Sequence, residues 1–211
     1  MFRQLWGGPM TRLCEFYECI QGEGRFTGTP MWLVRLQGCD VGCPWCDTKE
    51  SWDGGGFEID PAIFIPRLRE ANQAIRWAMI TGGEPCLQNL NPFTAALVEA
   101  GMRAALETSG TSPITGTLDW ITVSPKVGMP GHKEVLQSVL ERADEIKMPV
   151  GAQRDIDNLL TLLAKGWAQR RAIISLQPLS MSKAATDLCY QACLKHGWNL
   201  SLQTQKWIGA R

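Results

Sequence analysis

With 211 residues, of which 45% are hydrophobic and 20% charged, the chain is sized for one well-buried globular domain. Lys plus Arg and Asp plus Glu both number 21, so the formal net charge is zero and nothing advertises direct nucleic-acid binding or an anionic membrane partner. No apolar run reaches the ~20 residues of a membrane span and MFRQLWGGPM has no signal-peptide core, so a cytoplasmic location is expected, where eight cysteines read as metal-binding or catalytic rather than as disulfides.

Residues 1–14 read as an N-terminal extension leading into a single domain over 15–211. From Glu15 to Gly24 the chain runs EFYECIQGEG, whose glycines permit close backbone approach to a ligand and whose Gln21 and Glu23 offer polar groups; a surface hairpin turn accounts for the same letters. Met31 to Leu36, MWLVRL, is a short apolar run of buried-strand type carrying one charge, Arg35. A buried guanidinium needs a partner, and a ligand carboxylate or an internal acid would serve equally.

Directly after this run stands QGCDVGCPWCDT, with Cys39, Cys43 and Cys46 on one loop. A structural zinc takes four protein ligands, and no second cysteine pair follows at zinc-ribbon spacing. Iron–sulfur clusters also usually take four cysteines, so three leave one iron open to chemistry. A zinc-binding interaction module completed by Asp47 or a distant cysteine is the alternative from a different class.

The glycine-rich SWDGGGFEID that follows is a linker, since no helix with Lys and Ser/Thr in register makes it a phosphate loop. Asp60 caps a helix with Pro61 at its first position, running to about Ala74 with Ile63, Phe64, Leu68 and Ala71 inward. Trp77 to Ile80 is a strand ending in Thr81-Gly82-Gly83-Glu84-Pro85, where paired glycines permit close contact with a ligand. Beyond it helices are expected near 91–100, 133–140, 156–164 and 184–195, and strands near 104–107, 120–124, 145–148, 172–176 and 199–203. Such alternation predicts an α/β fold, and the length suits a partial, open TIM-like barrel of about six parallel strands with helices outside. CDVGCPWCDT, TGGEP, ETSGT, SPK and QPLS all follow strands, so the fold brings them to one rim.

The three-cysteine loop followed by GGEP resembles the radical S-adenosylmethionine superfamily. Taken together, QGEG at 21–24, RLQGC at 35–39, WCDT at 45–48, ITGGEP at 80–85, ETSGT at 107–111, VSPKV at 123–127, LQP at 176–178 and QT at 203–204 resemble the 7-carboxy-7-deazaguanine synthase family, in the family's own order from about Glu15 to Ile208. That resemblance implies a carbon–nitrogen lyase of queuosine and 7-deazapurine biosynthesis. It would convert 6-carboxy-5,6,7,8-tetrahydropterin to 7-carboxy-7-deazaguanine with loss of ammonia, by hydrogen abstraction at C6 and ring contraction. A 4Fe-4S cluster, S-adenosylmethionine and Mg2+ are the implied cofactors; an electron donor such as flavodoxin or ferredoxin and a homodimer are the implied partners.

Carried over by the same resemblance, Cys39, Cys43 and Cys46 ligate the cluster and Thr48 touches magnesium. Trp45, Cys46, Asp47, Gly83, Ser124, Pro125, Lys126, Gln177, Pro178, Leu179 and Ser180 line the cofactor. Ile20, Gln21, Gly22, Arg35, Thr81 and Gln205 hold the pterin, with Arg35 on its carboxylate. The family commonly shows QTHK where this chain has Gln203-Thr204-Gln205-Lys206, so an amide that cannot titrate replaces an imidazole. A glycyl-radical activating enzyme shares the cysteine spacing, but a protein substrate gives no reason for Arg35 and QGEG. His132 and His196 read as structural, and Cys14, Cys86, Cys189 and Cys193 as core thiols. Cys19 has no assigned role, and of the tryptophans only Trp45 is expected to meet the cofactor.

Overall fold

The computed structural model describes residues 10–53, 55–169 and 171–210. Its strands are β1 (Thr11–Ile20), β2 (Pro30–Leu36), β3 (Phe57–Ile59), β4 (Trp77–Gly82), β5 (Arg103–Thr108), β6 (Trp120–Val123), β7 (Glu145–Val150), β8 (Ile173–Pro178) and β9 (Asn199–Leu200). They form one sheet in the order β3-β1-β2-β4-β5-β6-β7-β8-β9. Every neighbour pair from β2 to β9 is parallel, whereas β1 lies antiparallel between β2 and β3. The sheet ends on β3 and β9 without closing, which is the open, TIM-like arrangement expected of the alternating pattern.

Two strands were not anticipated. TRLCEFYECI alternates charged and apolar residues and β3 is three residues long, so neither shows the continuous apolar run of a strand buried on both faces. Residues 1–9 of the expected extension lie outside the described residues, and β1 begins at Thr11.

The helices are α1 (Pro61–Ala71), α2 (Asn91–Glu99), α3 (Gln137–Leu140), α4 (Gln153–Ala164), α5 (Lys183–His196) and α6 (Thr204–Trp207). Asp60 caps α1 by accepting the Ala62 N–H, but the helix stops at Ala71, and its buried side is Pro61, Ile65 and Leu68 rather than Ile63 and Ala71. α3 is shorter than expected because Lys133 is ion-paired with Asp40 and the Leu136 N–H goes to the Gly110 carbonyl. α4 begins earlier than expected, where the Asp155 carboxylate accepts the N–H groups of Gly151 and Ala152.

Side-chain alternation along the parallel strands separates two environments. Ile80, Leu106, Ile146, Met148, Val150 and Leu176 join the main core with helix residues such as Phe93, Leu97 and Leu159. Burying each such aliphatic or aromatic side chain contributes about 1.5–3 kcal/mol. On the concave face Met31, Met79 and Ala105 form a small floor, closed by Phe26, Trp77 and Trp120. Farther along the same face stand Arg35, Thr81, Glu107, Lys147 and Gln177, where the strands end. Among the described residues no helix is long and apolar enough to cross a membrane.

Candidate active site

The concave face holds a cavity of about 540 Å3, and the motif loops meet there. Cys39, Cys43, Trp45, Cys46, Asp47 and Thr48 line it, as do Gly83, Ser124, Lys126, Gln177, Leu179 and Ser180. Ile20, Gln21, Gly22, Arg35, Thr81 and Gln205 complete the expected set, whereas Pro125 and Pro178 are buried outside the lining. Trp52 lines the cavity too, so Trp45 is not alone among the tryptophans in facing it.

Backbone packing holds the thiol loop. A Cβ on Gly82 would meet the Leu36 carbonyl oxygen at 2.5 Å, and one on Gly83 would lie 2.4 Å from the Gly38 oxygen and 2.6 Å from Cys39 Cβ. The paired glycines of TGGEP therefore let the end of β4 press against the thiol loop itself. The Glu84 N–H then donates to the Gly38 carbonyl at 2.8 Å. From the other side Gly131 donates to the Val41 carbonyl, and Lys133 pairs with Asp40 at 2.8 Å.

Within the loop the Thr48 N–H points at Cys46 Sγ, 3.4 Å away, and the Thr48 hydroxyl donates to Asp47. Burial pushes the Cys39 thiol up, and the N–H groups of Val41 and Gly42 pull it back. Cys43 is likewise raised by burial and lowered chiefly by Lys126. In both, burial outweighs these groups, which act in the direction of the thiolate, the form that ligates metal. Among the described residues no three His, Cys, Asp or Glu side chains are grouped to hold one ion. A loop serving a four-iron cluster places each thiolate on a different iron, so its sulfurs need not converge on one point.

Glu84 is fully buried and braces two motif loops. It accepts from the Cys86 N–H at 2.9 Å, the Thr108 hydroxyl at 2.7 Å and the Ser109 N–H at 2.8 Å, and also from the Ser109 hydroxyl. TGGEP and ETSGT are thereby locked together. In QPLS, Ser180 and the next residue, Met181, both have positive φ, a strained backbone of the kind held at ligand sites.

In the same cavity Lys147, on the interior strand β7, is nearly enclosed and donates at 2.7 Å to both Glu23 and Glu107. Gln203 and Gln205 add amide N–H bonds to Glu23 at 2.9 and 3.0 Å. Burial raises the Glu23 carboxyl, but Lys147 and these donors outweigh it and hold the group at about 2. With Glu23 accepting from Gln205 Nε2, the amide oxygen of Gln205 is turned away from it, buried and without a partner. That oxygen sits 1.8 Å from where a Gly22 Cβ would be, so only glycine fits there. α6 closes the wall through Thr204, whose N–H and hydroxyl both donate to the Gly22 carbonyl, and through Lys206, which pairs with Asp47 at 3.0 Å.

Arg35 has the internal partner that sequence left open: its Nε donates to Glu15 at 2.8 Å. Arg35 also hydrogen-bonds the Tyr17 side chain, and both residues line the cavity. His196 stacks on Trp198 and His132 lies in an exposed turn; neither lines the cavity. Cys86, Cys189 and Cys193 are buried as expected, Cys14 only partly.

Sequence reasoning missed Lys147, Glu15, Gln203 and Lys206 as cavity residues. A signal existed for the first: EIKMPV places Glu145 and Lys147 at alternate positions of a run otherwise read as core, which marks one face of that strand as polar.

No family model matches the chain. It is 41% identical over 214 residues to the 7-carboxy-7-deazaguanine synthase of Escherichia coli K12, covering 92% of this chain and 96% of that one. Identity to the Synechocystis protein of the same name is 35% over 223 residues, covering 97% and 99%. A crystal structure titled as QueE from Escherichia coli superposes with a TM-score of 0.87 at 39% identity, covering 92% of this chain and 94% of that one.

Proposed function

The chain belongs to the 7-carboxy-7-deazaguanine synthase family, and from that premise we propose which of its residues perform each part of the reaction. The activity is that of a radical S-adenosylmethionine enzyme of queuosine biosynthesis, forming 7-carboxy-7-deazaguanine from 6-carboxy-5,6,7,8-tetrahydropterin with loss of ammonia. The observation that carries the assignment of residues is that three thiols share one cavity with Arg35, Glu23 and Glu107.

Cys39, Cys43 and Cys46 would hold the 4Fe-4S cluster, with S-adenosylmethionine bound beside it. When bound, that pair supplies the radical that removes hydrogen from C6 of the pterin. Gly83, Ser124, Lys126, Gln177, Leu179 and Ser180, with Trp45 and Asp47, orient the cofactor. Thr48, whose hydroxyl donates to Asp47, would be the residue to hold a magnesium ion, which favours oxygen ligands. Arg35, steadied by Glu15 and Tyr17, offers its charge to the pterin carboxylate. Ile20, Gln21 and Gly22 cover the ring, Thr81 supports it, and Gln205 lines the same wall. The remaining proposals are a cytoplasmic homodimer over a single domain, reduced by a flavodoxin or ferredoxin.

Anaerobically reconstituted protein is expected to hold close to four irons per chain and to convert the carboxypterin. Arg35→Gln is expected to raise KM at least tenfold with a smaller change in kcat, since a charge-assisted bond to substrate contributes about 1.5–3 kcal/mol. Cofactor cleavage without 7-carboxy-7-deazaguanine would overturn the substrate assignment, and an unchanged KM would remove Arg35 from it.

A further inference from the structure

Four cations line the cavity, and three of them are neutralised at close range. Arg35 pairs with Glu15, Lys147 with Glu23 and Glu107, and Lys206 with Asp47. Lys126 is the exception: among the described residues its ammonium meets no carboxylate and donates instead to the Ser124 hydroxyl at 2.6 Å. It also lies 4.9 Å from the centroid of the Trp45 indole, which sits between Cys43 and Cys46. Lys126 is thus tied to the thiol loop itself.

An uncompensated cation in a half-dry cavity is costly unless an anion arrives beside it. Three thiolates with the sulfides of a four-iron cluster give a net anion whose charge grows by one on reduction. A fixed positive charge nearby stabilises the reduced state more than the oxidised one, and local net charge is among the factors that set such potentials. The other charged groups that act on Lys126 are Lys147, Glu107 and Glu23; both carboxylates are bonded to Lys147 at 2.7 Å, so the trio leaves one net negative charge that is shared with Lys147 and makes no ion pair with Lys126.

We propose that Lys126 is an electrostatic tuning residue, whose unpaired ammonium raises the reduction potential of the cluster held by Cys39, Cys43 and Cys46. This rests on the cluster assignment above. It is a role beyond lining the cofactor, because it operates before S-adenosylmethionine binds. A unit charge within about 10 Å, at an effective dielectric near 20, changes a one-electron equilibrium by roughly tenfold or more. Tenfold corresponds to about 59 mV.

The test is a dithionite titration of anaerobically reconstituted protein, followed by electron paramagnetic resonance, without S-adenosylmethionine. Lys126→Met is expected to shift the midpoint to more negative potential by the equivalent of at least tenfold, while Lys126→Arg, which keeps the charge, stays near wild type. A lysine that only held S-adenosylmethionine would leave the midpoint of Lys126→Met where it was, and that result overturns the proposal. If Lys126→Met and Lys126→Gln both fail to take up four irons while Lys126→Arg does so, the lysine serves assembly and the tuning role is likewise overturned. Wild-type protein that takes up no cluster would instead refute the cluster assignment.

Discussion

Replacing Lys147 by methionine keeps the length of the side chain and removes its charge from between Glu23 and Glu107. Lys147 is 4% exposed and its two partners 16% and 22%, so solvent screens this cluster weakly. Breaking a buried pair by deleting one partner costs about 3–5 kcal/mol. An independent route gives a similar figure. The Glu23 carboxyl titrates at about 2 in the fold against an ordinary value of 4.5, and that gap is worth about 3 kcal/mol. Both figures describe one interaction and are counted once.

Because the folded value is depressed, the wild-type contribution is complete above the ordinary carboxyl range and is lost only as pH falls toward 2. Lys147 itself is shifted upward, since its two carboxylates outweigh burial, so its share is present throughout the neutral range and lost only in strong alkali. In the methionine variant burial and the nearby Glu107 act on Glu23 against only the Gln203 and Gln205 amides, and its carboxyl is expected to rise above the ordinary range. The sign of the pH dependence then reverses: the fold prefers the protonated acid, and stability falls as pH rises toward neutrality. At pH 7.5 a loss of 3–5 kcal/mol corresponds to a Tm roughly 6–20 °C lower. The deficit should narrow at pH 5, as measured by thermal melts followed by circular dichroism. A deficit under about 3 °C at pH 7.5, or one that widens at pH 5, would refute the reasoning.

Three other substitutions bear on the same architecture. Gly83→Ala places a methyl group 2.4 Å from the Gly38 oxygen, so the thiol loop must shift; iron retained after anaerobic reconstitution should drop by half or more, read by elemental analysis. Glu84→Gln keeps the shape but replaces an acceptor oxygen by a donor among four donors, which should cost about 1–3 kcal/mol and lower the Tm measurably at pH 7. Gln205→His introduces the one group near this wall that titrates close to neutrality. The pH profile of kcat/KM should gain an inflection near ~6.5 that wild type lacks, and an unchanged profile would separate position 205 from the reaction.

The sequence by itself determined the strand–helix alternation, and with it the parallel sheet and the rim onto which the motif loops converge. It also determined the three thiols, because a loop that short keeps its cysteines together whatever surrounds it. It could not determine the partners of charged side chains. Arg35 was legible as a buried charge, yet whether it faced an internal acid or a ligand depended on β1 lying antiparallel beside it and bringing Glu15 within 2.8 Å. Glu23 and Lys147 are 124 residues apart, and only the curvature of the sheet makes them one ion pair. The glycines of TGGEP were legible as room for a ligand, and they do line the cavity; that they also seat the thiol loop against β4 was decided only by the fold. Backbone periodicity is local and survives in one dimension. Pairing of buried charges is settled by which faces of distant strands meet, and that is fixed only when the sheet forms.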